Sequence, residues 1–150
     1  GDDIPPCELN RVVNAGDHFG FPFIHGKNIP DTGYEAPKDF VFSQPVWEFQ
    51  AHTAPLGIKF YDGESFPEYY KNGAFVAQHG SWNRSEKVGY RLLFMKMEEG
   101  NVVSADVFID GWMSNETSWG RPVTPLILKD GSMLISDDQA DSIIRVTYKG

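Results

Sequence analysis

In 150 residues there is a single cysteine, Cys7. One thiol excludes an intrachain disulfide and a thiolate metal cluster. Its neighbours Pro6 and Glu8 offer no base that would make it a nucleophile. Basic residues are also scarce, with 13 Lys and Arg against 21 Asp and Glu and a net charge of −8. They are scattered, whereas binding to nucleic-acid phosphates needs a basic patch, so nucleic acid is excluded as a partner. No apolar run approaches the roughly 20 residues of a membrane-spanning helix, and no membrane span is expected. Nothing reads as a signal peptide, which leaves the compartment open. Helical periodicity is nearly missing too. The best candidate is Glu68–Lys71, introduced by Pro67 and stopped by Asn72 and Gly73.

Strand signals fill the rest. Residues 46–49, 54–61, 74–78, 90–97, 102–109, 123–128, 132–136 and 143–148 read as β-strands. Turn chemistry separates them, at Asp62-Gly63, Asn72-Gly73, Glu99-Gly100-Asn101 and Asp130-Gly131. The fold class expected is all-β, and the 150 residues form one domain.

An internal repeat sharpens this. The order strand, Asp-Gly turn, strand ending in polar residues, loop, strand runs from Ala54 to Met97 and again from Arg121 to Tyr148. Tyr90 and Ile143 open equivalent third strands, and residues 102–109 supply a fourth strand to the first unit. Repeated four-stranded antiparallel units are the pattern of a β-propeller, in which inner strands carry polar residues towards a central channel. A sandwich of two similar meanders is the plainer alternative. At about 40–50 residues per blade the chain makes about three blades, whereas closed propellers have about 4–8. The chain is then a piece of a larger protein, a protomer that completes its ring through a partner or by self-association, or an open sheet array.

Two stretches carry candidate chemistry. Ala77-Gln78-His79-Gly80-Ser81-Trp82-Asn83-Arg84 brings imidazole, indole, amide and guanidinium into one inter-strand loop, and rigid scaffolds present their binding residues on such loops. The first 22 residues are rich in carboxylates, amides and turn glycines. They read either as a solvated loop or as oxygen ligands for a hard cation such as calcium.

These blocks resemble the soluble pyrroloquinoline-quinone-dependent glucose and sorbosone dehydrogenases. The resemblance runs through Glu8-Leu9-Asn10, Gly16, His18 to Pro22, His52 to Gly57, Phe60-Tyr61, Ala77 to Arg84, Gly111-Trp112, Gly120 to Val123, and Asp130 to Asp138. It covers nearly the whole chain and corresponds to the C-terminal half of that family's six-bladed β-propeller. It implies a quinone (PQQ) over the central channel and calcium as a second cofactor. His79, Arg84 and Arg121 would be cofactor-binding, since guanidinium forks suit the quinone's carboxylates. Asp2 and Asp3 fall nearest the family's calcium segment, although Cys7 replaces an acidic residue usual there. The family's catalytic histidine lies in an early blade and matches no position here, so the catalytic residues are unknown. His18 and His25 read as structural histidines, His52 stands at a possible channel mouth, and Trp112 reads as packing.

The resemblance implies a sugar-oxidising segment with a small-molecule sugar substrate and a periplasmic or secreted location. The alternative is a non-catalytic half-propeller binding module that associates with a partner or with itself, the ring otherwise being completed by a missing N-terminal half. Whether the chain is an enzyme by itself stays open at this point.

Overall fold

The computed structural model describes residues 1–150, which divide into two compact units, 1–52 and 53–150.

The first unit holds little regular structure. β1 (Cys7–Leu9) pairs antiparallel with β4 (Trp47–Phe49), and β2 (Ile24–His25) forms a small hairpin with β3 (Ile29–Pro30). Of these, only β4 lies in a segment whose composition predicts a strand. The register sets Glu8 opposite Glu48, a like-charge pair that would be unfavourable alone. Both carboxylates instead accept backbone N–H groups from the β2–β3 turn: Glu8 Oε1 from Gly26 at 2.5 Å and Glu48 Oε1 from Lys27 at 2.8 Å. His18 accepts the Gly20 N–H at 3.0 Å through Nδ1 and lies edge-on to Phe40, at 4.8 Å between ring centroids. His25 pairs with Asp31 at 2.8 Å. Both imidazoles have the local structural roles expected of them.

The second unit is built of two antiparallel meanders. β5 (Pro55–Phe60), β6 (Ala74–Gln78), β7 (Arg91–Glu98) and β8 (Asn101–Ile109) form a four-stranded sheet in sequence order. A small hairpin follows, β9 (Met113–Ser114) with β10 (Thr117–Ser118). The second meander, β11 (Pro122–Ile127), β12 (Met133–Asp137) and β13 (Ser142–Val146), is three-stranded. The expected all-β architecture and the eight strands predicted from sequence are all present. The helical candidate is a single 3₁₀ turn, Glu68–Tyr70. The structure thus holds one four-stranded sheet and one of three strands, while residues 1–52 contribute only two-stranded pairings.

The repeat explains the equivalence of the sheets. Ala74 pairs with Met95 as Met133 pairs with Val146, and Gln78 pairs with Arg91 as Asp137 pairs with Ser142. The two sheets meet along their first strands. Gly57 of β5 lies so close to β11 that a Cβ there would stand 2.5 Å from Thr124 Cα. Glycine is required at that point by the approach of one backbone to the other. Tyr61, Phe66, Phe75, Phe94 and Trp112 fill the core, with Met133 and Ile135 from the second sheet. Tyr61 also joins the sheets by hydrogen bonds. Its hydroxyl donates to the Gly131 carbonyl at 3.0 Å and accepts the Phe66 N–H at 2.7 Å.

Candidate functional site

The β6–β7 connection, residues 79–90, is an ordered loop whose backbone is fastened at both ends. His79 and Gly80 donate their N–H groups to Ala54 and Thr53, each at 2.9 Å. Across the loop, Ser81 N–H reaches the Val88 carbonyl at 2.9 Å, and Val88 N–H returns to Ser81 Oγ at 3.0 Å. The Tyr90 hydroxyl donates to the Ser81 carbonyl. Gly80 has φ near +101°, and a Cβ on it would enter the Tyr90 ring at 2.5 Å. Glycine therefore lets the tyrosine lie flat on the loop. Lys87 ties the far side to the β9–β10 turn, its N–H to Glu116 Oε2 at 2.8 Å and its Nζ to the Glu116 carbonyl at 2.6 Å.

Arg121 enters this frame from the second sheet, just ahead of β11. Its Nε donates to the His79 carbonyl at 3.0 Å, and its Nη2 donates to the Gly80 carbonyl. The guanidinium carbon lies 5.4 Å from the Tyr90 ring centroid, within cation–π range. Two of its nitrogens are thus occupied by the backbone, and Nη1 has no protein partner. His79 Nε2 is 2.9 Å from Asp138 Oδ1 in the loop after β12. The hydrogen bond from His79 holds the Asp138 carboxyl below the usual carboxylate range, with smaller help from the charges of His79 and Arg121. That loop is itself shaped by buried Asp137, whose Oδ1 accepts Gln139 N–H at 3.0 Å and Ala140 N–H at 2.8 Å.

Of the residues singled out from sequence, His79 and Arg121 come together, joined directly through the His79 carbonyl. Arg84 belongs to the same loop and is half-buried. Three residues were not foreseen as partners. Tyr90 is read only as opening a strand, and Asp137 and Asp138 only as part of the last block of the resemblance, although the repeat places Asp138 in the loop equivalent to residues 79–90. Trp112 is buried, as expected, and Trp119 stacks on it.

Asp2 and Asp3 lie in the first unit, ahead of β1. Nowhere do three or more His, Cys, Asp or Glu side chains gather in a way that could hold a metal ion. The acidic groups of this segment serve backbone N–H groups instead, Glu8 with Gly26, and Asp17 Oδ2 with Val13 and Asn14, both at 2.9 Å. The backbone hydrogen bonds from Asn14 and then Val13 hold the Asp17 carboxyl below its ordinary value. His52 in the same unit meets the Gly1 carbonyl at 2.8 Å.

A sequence model described as TrAA12-like matches residues 14–149. An uncharacterized protein of Borreliella burgdorferi is 42% identical over 99% of this chain, which spans 41% of that protein. Among solved structures, the Trichoderma reesei carbohydrate-active enzyme of family AA12, in its iodide form, superposes with a TM-score of 0.75. It is 21% identical over 96% of this chain and 44% of its own. A glucose dehydrogenase superposes at 0.68 over 96% of this chain and 38% of its own, with 20% identity. The PQQ domain of pyranose dehydrogenase from Coprinopsis cinerea reaches 0.52 over 71% of this chain and 30% of its own, also at 20% identity. These likenesses establish a shared fold, that of propeller-type dehydrogenase domains. This chain spans less than half the length of each of these proteins. No helix in it is long and apolar enough to cross a membrane.

Proposed function

From the premise that this chain belongs to the TrAA12-like family, we propose that it supplies the cofactor-side loops of a quinone-dependent sugar dehydrogenase. The observation that carries this reading is the clasp of Arg121 on the His79–Gly80 backbone. It holds a guanidinium, an imidazole and the Arg84 loop at one end of two joined sheets.

The donor set suits pyrroloquinoline quinone, an acceptor of hydride that carries three carboxylates. In a protein of net charge −8, a group of two arginines and a histidine is a local exception that favours an anion. Arg121 keeps Nη1 for a ligand while Nε and Nη2 fix the plane of the fork. Preorganisation of this kind lowers the entropy lost when a carboxylate binds. Asp138 fixes the orientation of the His79 imidazole through Nε2. Arg84 would add charge from the same loop. The backbone bonds from His79, Gly80 and Ser81 keep the loop from relaxing when the ligand leaves. Calcium has less support, since no group of three or more His, Cys, Asp or Glu side chains includes Asp2 or Asp3, and no step is assigned to it.

The chain's own residues include no assigned base for the sugar hydroxyl, and turnover would require the remainder of the ring. A sugar as the small-molecule substrate, and action outside the cytoplasm, follow from the same proposal. Titration of the protein with pyrroloquinoline quinone, followed by the quinone absorbance, tests it. Saturable binding is expected, weakened about tenfold or more by Arg121→Gln or Arg84→Gln, since each removes a charge-assisted hydrogen bond. A protein that folds but binds no quinone would overturn the reading.

A further inference from the structure

A second site lies at the same end of the first sheet, and the quinone reading does not use it. The start of β7 and the end of β8 border a cavity of about 330 Å³ lined by Gly89, Tyr90, Arg91, Asp110, Gly111 and Met113. That size falls within the usual range of small-ligand pockets, about 300–1,000 Å³. Arg91 is its polar centre. Its Nε donates to Gln78 Oε1 at 2.7 Å, and Gln78 Nε2 donates to Thr53 Oγ1 at 3.1 Å. Gln78 and Thr53 are both buried, so the fork is held from behind. Neither terminal nitrogen of Arg91 has a protein partner, which leaves its outer edge for a ligand. Burial draws the guanidinium below its ordinary value, and the charge of Asp110 counters part of that pull.

An aromatic side chain stands next to the lining. Trp119 donates its indole Nε1–H to the carbonyl of Gly111, a lining residue, at 2.7 Å. One face of Trp119 stacks on buried Trp112, with centroids 6.2 Å apart and planes 15° from parallel. Trp119 is still 55% exposed, so the open area belongs to its other face and edge. Arginine donors, a carboxylate acceptor and an indole face together match a neutral polyol. Adjacent hydroxyls both donate and accept, while the C–H face of a sugar ring suits an aromatic plane. An anion fits less well, because Asp110 shares the cavity and the protein is strongly acidic.

We propose that this cleft, which shares the Tyr90 ring with the His79–Arg121 clasp, is a carbohydrate-binding subsite beside that clasp. In it Arg91 and Asp110 hydrogen-bond a vicinal diol of a neutral oligosaccharide, and Trp119 stacks on the neighbouring sugar ring. The choice of a sugar among neutral polyols rests on the proposed function, whereas the recognition chemistry rests on the cleft itself. The site would hold an oligosaccharide by units other than the one being oxidised.

Calorimetric titration of the protein without quinone keeps the two readings apart. Cellotetraose and maltotetraose are the neutral probes, and glucuronate is the charged one. Saturable binding of at least one neutral probe is expected. Trp119→Ala should abolish that binding, and Arg91→Gln should weaken it about tenfold or more. Asp110→Asn, a conservative change on the exposed rim, should weaken it with the fold intact. No binding of either neutral probe, binding of glucuronate alone, or neutral binding unchanged in Asp110→Asn and Trp119→Ala would each overturn the proposal. Because quinone is absent, failure here leaves the quinone titration to be judged on its own result.

Discussion

The two sheets of the second unit share a register but differ in how they are enclosed. All five residues of β6 are buried, whereas β12 alternates between buried and half-exposed positions. Phe75 of β6 and Leu134 of β12 are equivalent by pairing, yet Phe75 is fully buried and Leu134 is not. On the Leu134 side of the second sheet, Leu126 is 52% exposed and Ile143 is 69% exposed. The same strand plan thus makes a second strand buried on both faces in the first sheet and on one face in the other, even though Ile58, Phe60 and Val107 on the strands flanking β6 and β7 are exposed. The loops differ in parallel. The first sheet carries the long recognition loop, residues 79–90. The second carries a tight turn, residues 138–141, whose Asp138 serves the other sheet's histidine. Burial of β6 gives a rigid base to the loop that bears most of the candidate chemistry.

Paired substitutions would break this comparison if it is mistaken. Phe75→Ala should cost about 3–5 kcal/mol, the usual range for a buried phenylalanine. Leu134→Ala at the equivalent position should cost less, about 1–2 kcal/mol, because part of its surface already faces solvent. Chemical denaturation of the two variants measures both, and equal losses would show the sheets to be enclosed alike.

The junction of the sheets comes next in size. Gly57→Ala places a Cβ against the β11 backbone, where no side chain can yield, and should destabilise by about 1–3 kcal/mol. Tyr61→Phe removes the acceptor of the Phe66 N–H and the donor to Gly131. It leaves buried backbone groups unpaired, for a loss of about 1–3 kcal/mol in the same assay. If Tyr61→Phe is silent, the hydroxyl does not join the sheets.

The smallest effect is electrostatic. Asp138 titrates below its ordinary value in the folded protein, chiefly through the His79 hydrogen bond. A depressed carboxylate contributes stability above its unfolded value, near pH 4, and loses it as pH falls through the lower folded value. Asp138→Asn should therefore flatten the acid limb of the stability profile and remove a small stabilisation that is otherwise present at neutral pH and above. Because Asp138 is mostly exposed, solvent screens the pair and the change should be small.

How much of this was legible in the sequence depends on the region. In the second unit, apolar runs or alternation bounded by glycine-containing turns mark every long strand, since buried strands are apolar throughout, half-buried ones alternate, and hairpins need turn residues at fixed places. In the first unit the pairings β1–β4 and β2–β3 left no periodic trace. They are two or three residues long and are held by Glu8 and Glu48 reaching a turn some twenty residues away. The same limit applies to the site. His79 and Arg121 stand out as polar residues beside apolar strands, and the repeat places them in comparable loops. The bond of Arg121 to the His79 backbone is set by how two sheets dock, which no local pattern encodes. Arg91 falls inside the predicted strand 90–97 with no role of its own, and its outer edge becomes visible only with Gln78 and Asp110 around it. The acidic N-terminal segment invited a cation, yet its carboxylates Glu8 and Asp17 are engaged with backbone N–H groups.

The central claim is that the Arg121 clasp prepares one end of these sheets for a polycarboxylate quinone. The most direct measurement is the affinity of the protein for pyrroloquinoline quinone, compared with that of Arg121→Gln at matched stability. The account predicts saturable binding that weakens about tenfold or more in the variant. Equal affinity in the two proteins, or no binding by the folded parent, would contradict it.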